Sequence, residues 1–208
     1  DVATIKNGWP TTNECGLEIA GFSTLVRAID IKTVGLGGDS EVLLDPLGEV
    51  QIGKDRRIPI SLLADKWPWI EKHLEASLNR RQGMLRASQY IVSVAAIPTR
   101  EQLGNLSLKD ANFLSRLGST EPRPYYEMVD SAADRACLSR LIQCGQVQIS
   151  GFTPSDAAHV LGRQSQWSTR AAKLACQLLG RVSGKITGAN TENSCRQFAQ
   201  EIVDAVVS

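Results

Sequence analysis

A glycine-rich stretch is the part of this 208-residue sequence best suited to chemistry. After an apolar, β-branched segment come three glycines within four residues, then an acidic and a hydroxyl side chain: Gly35, Gly37, Gly38, Asp39 and Ser40. Glycines permit positive φ and close approach of a ligand, and exposed backbone amides in such a loop can hold an anion. A tight turn between two strands would explain the same glycines by geometry alone. A strand is predicted to follow, whereas the usual phosphate loop opens a helix.

The overall charge argues against two classes of partner. Lys+Arg number 23 and Asp+Glu 22, which gives a formal net charge of +1. This balance provides no electrostatic footprint for nucleic acid or an anionic membrane. No apolar run approaches the roughly 20 residues of a membrane-spanning helix. We therefore expect a soluble globular protein with neither a nucleic-acid nor a membrane partner.

The cysteines and histidines do not form a metal-binding pattern. The five cysteines are scattered and none belongs to a C-x-x-C pair: Cys15, Cys137, Cys144, Cys176 and Cys195. Only two histidines are present, His73 and His159. Structural zinc usually needs paired ligands at short spacing, so it is not expected. We predict reduced cysteines packed as small apolar side chains, as is typical of a cytoplasmic protein.

The elements that must position the glycine loop belong to a sheet region predicted at residues 1–104. Asn7 and Gly8 are the residue types of a turn between two short strands. Residues 41–44 and 50–52 flank a second turn, containing proline and glycine, which predicts a hairpin directly after the loop. Solvated surface is the favoured interpretation of the arginine pair at 56–57, and the binding of an anionic ligand or partner is the alternative.

A helical segment and a buried strand complete the sheet region. Apolar residues between 61 and 79 recur at spacings of three and four, which places them on one helix face. Pro68 interrupts this pattern, so a kink or two consecutive helices are expected. Residues 90–97 are rich in valine, isoleucine and alanine, and predict a buried strand.

A helical region is predicted over residues 105–208. Ser107 and Thr153 precede apolar-periodic segments and are expected to cap helices, the second with Pro154 at its first position. A short strand is expected at residues 147–149. Further helices are predicted by apolar spacing in three segments: residues 131–144, 171–178 and 195–206.

Three segments resemble signatures of the hydantoinase/oxoprolinase proteins, in the same order along the chain. Residues 1–3, Asp-Val-Ala, resemble the end of the G-G-T-x-T-D-V-A signature of their second phosphate-binding hairpin. Residues 30–40 resemble their D-I-x-T-I-G-x-G-G-G-S loop, and residues 152–162 resemble their T-V-T-D-A-N-x-V-L-G segment. The resemblance covers the two ends of the chain and not its middle.

This resemblance implies a fold and an activity. The fold is α/β (α+β), of the actin, sugar-kinase and Hsp70 type, built on ribonuclease-H-like sheets with ATP bound between two lobes. Such enzymes phosphorylate or activate a cyclic amide before opening its ring. Asp1 would then be a catalytic acidic residue near Mg and phosphate, since Mg²⁺ prefers oxygen ligands. The loop at residues 35–40 would contact nucleotide or substrate.

The sequence differs from the family's signatures at several positions, and these differences bear on the activity that the resemblance implies. Asp39 stands where a third glycine is usual, and its charge would repel a phosphate unless a cation lay between them. A tryptophan-rich helical segment at 54–79 replaces a Pro/Gly-rich one, and Ala158 replaces an asparagine. The family's first phosphate-binding strand and adenosine motif would lie outside residues 1–208. We therefore expect an internal fragment, inactive alone, whose ATP and Mg site is incomplete.

Residues 107–151 permit other interpretations. The order of helix, connector, helix and short strand is that of a winged-helix module. Five basic and five acidic residues in this range cancel, whereas DNA binding needs surplus positive charge. A structural or partner-docking insertion is favoured. The alternative function is a non-catalytic partner-binding or assembly module, acting with a partner subunit or as a homo-oligomer.

Overall fold

The computed structural model describes most of the chain: residues 2–3, 5–13, 18–19, 22–23, 28–29, 31–32, 37–79, 86–94, 106–118, 120–187 and 191–207. Two compact units are present, Asp1–Gly37 and Gly38–Ser208. This division differs in place from the predicted boundary near residue 105. The architecture is mixed α/β, with small sheets. No helix of the described part is long and apolar enough to cross a membrane.

The first unit contains short antiparallel strand pairs. Its strands are two residues each: β1 (Val2–Ala3), β2 (Ile5–Lys6), β3 (Trp9–Pro10), β4 (Thr12–Asn13), β5 (Glu18–Ile19), β6 (Phe22–Ser23), β7 (Ala28–Ile29) and β8 (Ile31–Lys32). β1 pairs with β8, β2 with β3, β4 with β7 and β5 with β6. Between β2 and β3, Asn7 and Gly8 have φ of 53° and 81°. This conformation suits a two-residue hairpin, and the predicted turn is confirmed.

The second unit contains the remaining strands and all the described helices. They are β9 (Ser40–Leu44), β10 (Val50–Arg56), β11 (Ile58–Pro59), α1 (Ile60–Lys66), α2 (Trp69–Leu78), β12 (Tyr90–Ser93), α3 (Leu108–Leu117), β13 (Arg123–Pro124), α4 (Tyr125–Met128), α5 (Ala132–Gln143), β14 (Val147–Gly151), α6 (Pro154–Val160), α7 (Thr169–Val182) and α8 (Thr191–Val207). The β9–β10 hairpin follows the glycine loop, as predicted. A four-stranded sheet has the order β11-β14-β12-β13.

The predicted helix signals are confirmed. α1 and α2 are separate helices on either side of Pro68, which begins the second one. Ser107 caps α3 by accepting a hydrogen bond from the Asp110 amide, and Gly118 ends the helix at φ 78°. Thr153 and Asp156 form a capping box at the start of α6, with Pro154 at the first helical position.

The four-stranded sheet separates two hydrophobic cores. Neighbouring residues on a strand point to opposite faces, so Tyr90 enters one core and Ile91 the other. α1, α2, α6, α7 and α8 pack in the first core, with the β9–β10 hairpin. α3, α4 and α5 pack in the second core, against β12 and β14. β14 lies inside the sheet, parallel to β11 and antiparallel to β12, rather than in a separate wing.

A histidine links the elements on the two sides of the sheet. His73 of α2 forms hydrogen bonds through Nδ1 with the Tyr90 hydroxyl and through Nε2 with the Tyr126 hydroxyl, both 2.7 Å long. Its ring also stacks on that of Tyr126, with 5.9 Å between centroids. Because Tyr126 belongs to α4, these contacts tie the second core to the first.

An ion pair joins α3 to α5 within the second core. Arg140 donates from Nη2 to Asp110 Oδ1 at 2.7 Å and from Nε to Oδ2 at 3.2 Å. Ser107 donates to the same carboxylate at 2.6 Å. The Arg140 hydrogen bond, and then that of Ser107, hold the pKa of Asp110 well below its usual range, against the opposing effect of burial.

This depressed pKa predicts an acid-sensitive contribution to stability. The contribution should be complete above about pH 4, the ordinary range of an aspartate, and should be lost as the pH falls below it. Asp110→Asn should lower the unfolding midpoint at neutral pH, and the gap to the wild type should narrow in acid. Thermal unfolding followed by circular dichroism at several pH values measures this. The control is Asp65→Asn, at an exposed position of α1. A gap that stays constant with pH would refute the prediction.

Candidate functional site

The described end of the glycine loop is fixed to the first turn of α6. The Ser155 amide donates a hydrogen bond to the Gly38 carbonyl oxygen at 2.8 Å. A Cβ atom at Gly38 would lie only 2.5 Å from Ser155 Oγ. Glycine at this position therefore permits a close approach between two chain segments, since a Cβ atom would require the Ser155 hydroxyl to shift. The same contact brings together the described end of the glycine loop and the segment at 152–162.

A cavity of about 480 Å³ opens where these segments meet. Its polar wall combines acceptors and donors: Asp39, Arg56, Arg57, Gln148 and Ser155. Its apolar wall comes from β11, α1 and the segment before α7: Ile58, Pro59, Leu62 and Trp167. Ligand sites of small molecules usually pair apolar walls with a few placed polar groups, and this cavity has both.

Arg57 is the most constrained polar residue of the cavity. Its side chain is only 10% exposed, and Nη2 donates to Glu41 Oε1 at 2.8 Å. Its backbone amide donates to the Asp39 carbonyl at 2.7 Å. The buried Nε atom has no hydrogen-bond partner within the described part of the chain. A buried donor without an acceptor is costly, so a ligand that shifted the Arg57 side chain and brought an acceptor atom to Nε–H would relieve that cost.

Asp39 is held much less tightly. It forms an ion pair with Arg56, and the two side chains are 48% and 57% exposed. Exposed pairs of this kind contribute little to stability, so a ligand can replace the partner at small cost. The carboxylates of Asp39, Glu41 and Asp55 surround Arg56 and Arg57. Of the charged residues that line the cavity, two are basic, Arg56 and Arg57, and one is acidic, Asp39. Glu41 and Asp55 pair with Arg57 from outside that lining.

Trp167 is held against the cavity by a buried histidine. Its ring stacks on His159 with 5.3 Å between centroids and 12° between planes. His159 Nε2 accepts a hydrogen bond from the Trp167 amide at 3.3 Å. Nδ1 of the same ring lies 2.8 Å from the Ser155 carbonyl oxygen, to which it donates in this tautomer. The geometry thus assigns His159 a positioning role.

The buried carboxylate of Asp156 joins two of the helices that contribute residues to the cavity, α1 and α6. Oδ1 accepts from the amide and hydroxyl of Ser61 at 2.8 and 2.5 Å. Oδ2 accepts from the Ile60 amide at 3.1 Å and from the amide and hydroxyl of Thr153, both at 2.9 Å. Burial raises the pKa of Asp156, and the hydrogen bonds oppose that effect. One carboxylate therefore fixes the beginnings of α1 and α6 together.

The predicted site residues meet different outcomes. Gly38 and Asp39 line the cavity. Ser40 is buried at the start of β9, opposite Arg56, and Gly37 ends the first unit. Asp1 and Gly35 lie outside the described residues, so their predicted roles stay predictions. Among the described residues no group of three or more His, Cys, Asp or Glu side chains could hold a metal ion.

Three important cavity residues were missed from the sequence. The arginine pair was interpreted as solvated surface, although Arg57 is largely buried. Ser155 was assigned only to the start of a helix, and Trp167 was not singled out. A strand and a helix, β11 and α1, follow the hairpin directly and return the chain toward the glycine loop. This order is the sequence signal that could have indicated the burial of Arg57. No local pattern identifies Trp167, whose place depends on His159.

Asp156 gives a stability prediction. Asp156→Asn should lower the free energy of unfolding by at least ~2 kcal/mol, because an amide nitrogen would face hydrogen-bond donors in a buried site. Urea denaturation measures the difference. Asp134→Asn is the matched control, since Asp134 also bonds the N-cap serine of its helix but lies nearer the surface. Equal losses in both variants would show that the link between α1 and α6 contributes nothing.

Gly38 and Ser155 give a prediction about packing. Gly38→Ala should cost ~1–3 kcal/mol in free energy of unfolding, as overpacking typically does. In a Ser155→Ala background the nearest atom to the new Cβ would be Ser155 Cβ at 3.8 Å, an ordinary contact. The second substitution should therefore recover part of the loss, with a coupling energy of roughly 1 kcal/mol. Strict additivity in this double-mutant cycle would contradict the close approach.

Comparisons with known proteins do not extend this description. The chain matches no protein-family model, no curated protein and no solved structure. The case for a function therefore rests on the residues of the cavity and on the sequence signatures that they belong to.

Proposed function

We propose that this chain forms part of an ATP-dependent hydrolase of cyclic amides, of the hydantoinase/oxoprolinase kind, and that its cavity holds the amide ring. The observation that carries the proposal is the buried, unpaired Nε–H of Arg57, in a cavity that also presents an exposed carboxylate and a tryptophan.

A cyclic amide has the polar groups that this cavity could bind. Its carbonyl oxygen would accept from Arg57 Nε–H, and its ring N–H would donate to the carboxylate of Asp39. The ring itself would pack against Trp167 and Leu62. A neutral ring also suits the local charge, since each of the two guanidinium groups already has a carboxylate partner. A carbonyl held by a guanidinium is polarised toward attack, which is the demand of ring opening.

The meeting of two signature segments supports the lineage. Residues 30–40 and 152–162 are far apart in the sequence, yet Gly38 bonds to Ser155 and both line the cavity. The same proposal includes a specific fold, an actin-like or sugar-kinase-like lobe built on ribonuclease-H-like sheets. A mixed sheet with helices on both faces is compatible with such a lobe.

The described residues do not fit the triphosphate of ATP in this cavity. The Ser155 amide already donates to Gly38, and Asp39 adds a negative charge where a phosphate would lie. The proposal therefore assigns ATP and Mg, with Asp1, to another part of the complete active site. What these described residues would do is bind and orient the ring.

A second candidate function has one observation in its favour. α3, α4 and α5 have a hydrophobic core of their own on one side of the sheet. Such a compact helical layer suits a non-catalytic module that binds a partner subunit or assembles with copies of itself. Absence of ring binding in the experiment below would favour this alternative.

Titration of the 208-residue chain with hydantoin, by calorimetry and by ligand-observed NMR, tests the ring site. Arg57→Lys keeps the positive charge beside Glu41 but removes Nε–H, so it should weaken binding about tenfold, the loss expected for one hydrogen bond. Arg135→Lys, at an exposed position of α5, is the matched control and should bind like the wild type.

Two results would contradict the proposed site. One is the absence of hydantoin binding to a folded wild-type chain. The other is equal affinity of the wild type and Arg57→Lys. The open-chain N-carbamoylglycine serves as a specificity control, because its carboxylate would lie in the same cavity as that of Asp39. Tighter binding of this open-chain compound would show that the cavity recognises an anion instead of the ring.

A further inference from the structure

Two buried cysteines meet where α7 packs against α8. Cys176 of α7 is fully buried and Cys195 of α8 is 3% exposed. The Cys176 thiol donates to the Cys195 carbonyl oxygen at 3.6 Å. The two side chains are near enough for each to shift the pKa of the other, that of Cys176 upward and that of Cys195 downward. This arrangement differs from the scattered pattern of the sequence, in which 18 residues separate the two positions.

The two thiols differ in their surroundings. Cys195 lines a second cavity of about 320 Å³, together with Lys173, Glu192 and Arg196. A water molecule occupies roughly 30 Å³ of liquid, so the cavity can admit a peroxide of similar size. Cys176 does not line this cavity and lies in the core behind Cys195. One thiol can therefore meet a small reactant while the other can meet only its neighbour.

The electrostatics favour Cys195 as the reactive member. The hydrogen bond from Cys176 lowers the pKa of Cys195, Lys173 and Arg181 lower it further, and burial and Glu192 oppose them. The same hydrogen bond, with burial and the charge of Asp156, raises the pKa of Cys176. Thiolate is the nucleophilic form of cysteine, so the thiol beside the cavity is the better nucleophile.

We propose that Cys195 and Cys176 form a redox-active dithiol, in which a peroxide entering the cavity beside Cys195 oxidises the pair to a disulfide between α7 and α8. This site is separate from the proposed amide-ring cavity and does not depend on the proposed function. Cys195 is the attacking sulfur and Cys176 the resolving sulfur.

The oxidation balances in two steps. The Cys195 thiolate attacks one peroxide oxygen, the O–O bond breaks, and the departing hydroxide takes up the proton lost by Cys195 to become water. Cys195 is then a sulfenic acid. The Cys176 sulfur attacks the Cys195 sulfur, an S–S bond replaces the S–O bond, and the second hydroxide takes the Cys176 proton. Two thiols and one peroxide give one disulfide and two waters, with sulfur oxidised and oxygen reduced.

Peptide mass spectrometry of the peroxide-treated chain tests the pair. Cys15→Ser and Cys144→Ser in one background remove the cysteine outside the described residues and the exposed one, which could link separate molecules. Dilute hydrogen peroxide followed by iodoacetamide should give a Cys176–Cys195 cross-link that dithiothreitol reverses. Cys137 is the internal control, since it is buried and burial raises its pKa; it should stay reduced.

Single substitutions in that background separate the two roles. With Cys176→Ser, peroxide should leave Cys195 as a sulfenic acid that dimedone traps. With Cys195→Ser, Cys176 should stay reduced. Circular dichroism checks that each variant is folded. The cross-link test in the parent chain does not depend on the folding of either single variant. A parent chain in which Cys176 and Cys195 stay reduced, or in which Cys137 is oxidised as fast as Cys195, would overturn the proposal.

Discussion

The buried carboxylate of Asp156 is the interaction on which the arrangement of the second unit depends. It accepts hydrogen bonds from the first two amides of α1 and from the Thr153 amide before α6. The beginnings of two helices therefore bind the same carboxylate. Both helix beginnings carry partial positive charge, which compensates the carboxylate in a place without water. Several residues that line the larger cavity adjoin these two helix starts: Ile58, Pro59 and Leu62 at α1, and Ser155 at α6.

The cavity follows from that anchor in a short chain of contacts. Ser155, beside Asp156, binds Gly38 and so fixes the end of the glycine loop. One helical turn later, His159 accepts a hydrogen bond from the Trp167 amide and stacks on the Trp167 ring. On the α1 side, β11 leads back to Arg57. A change in the Asp156 carboxylate would therefore move the polar wall and the aromatic wall together.

Local patterns in the sequence were enough to identify the helices but not the site. Caps at Ser107 and Thr153, the break at Pro68 and the apolar spacing all act over a few residues, and the structure agrees with each. Sheet order depends on pairings such as β11 with β14, which no local pattern contains. Burial of Arg57 and the meeting of Cys176 with Cys195 likewise depend on distant segments. From composition alone, Arg57 is expected at the surface, and Cys176 and Cys195 are expected to be unreactive side chains of the core.

The described end of the glycine loop has a packing role at Gly38, and the predicted contact of the loop with nucleotide or substrate stays a prediction. A phosphate cradle needs free amides and surplus positive charge. Here the carbonyl of Gly38 is used in a backbone contact, the missing side chain leaves room for Ser155 Oγ, and Asp39 adds negative charge. The cavity is lined by a largely buried donor side chain, Arg57, and by a more exposed acceptor side chain, Asp39. A fixed group orients a ligand and an adaptable one accommodates it, so these contacts favour a small neutral molecule that both donates and accepts hydrogen bonds.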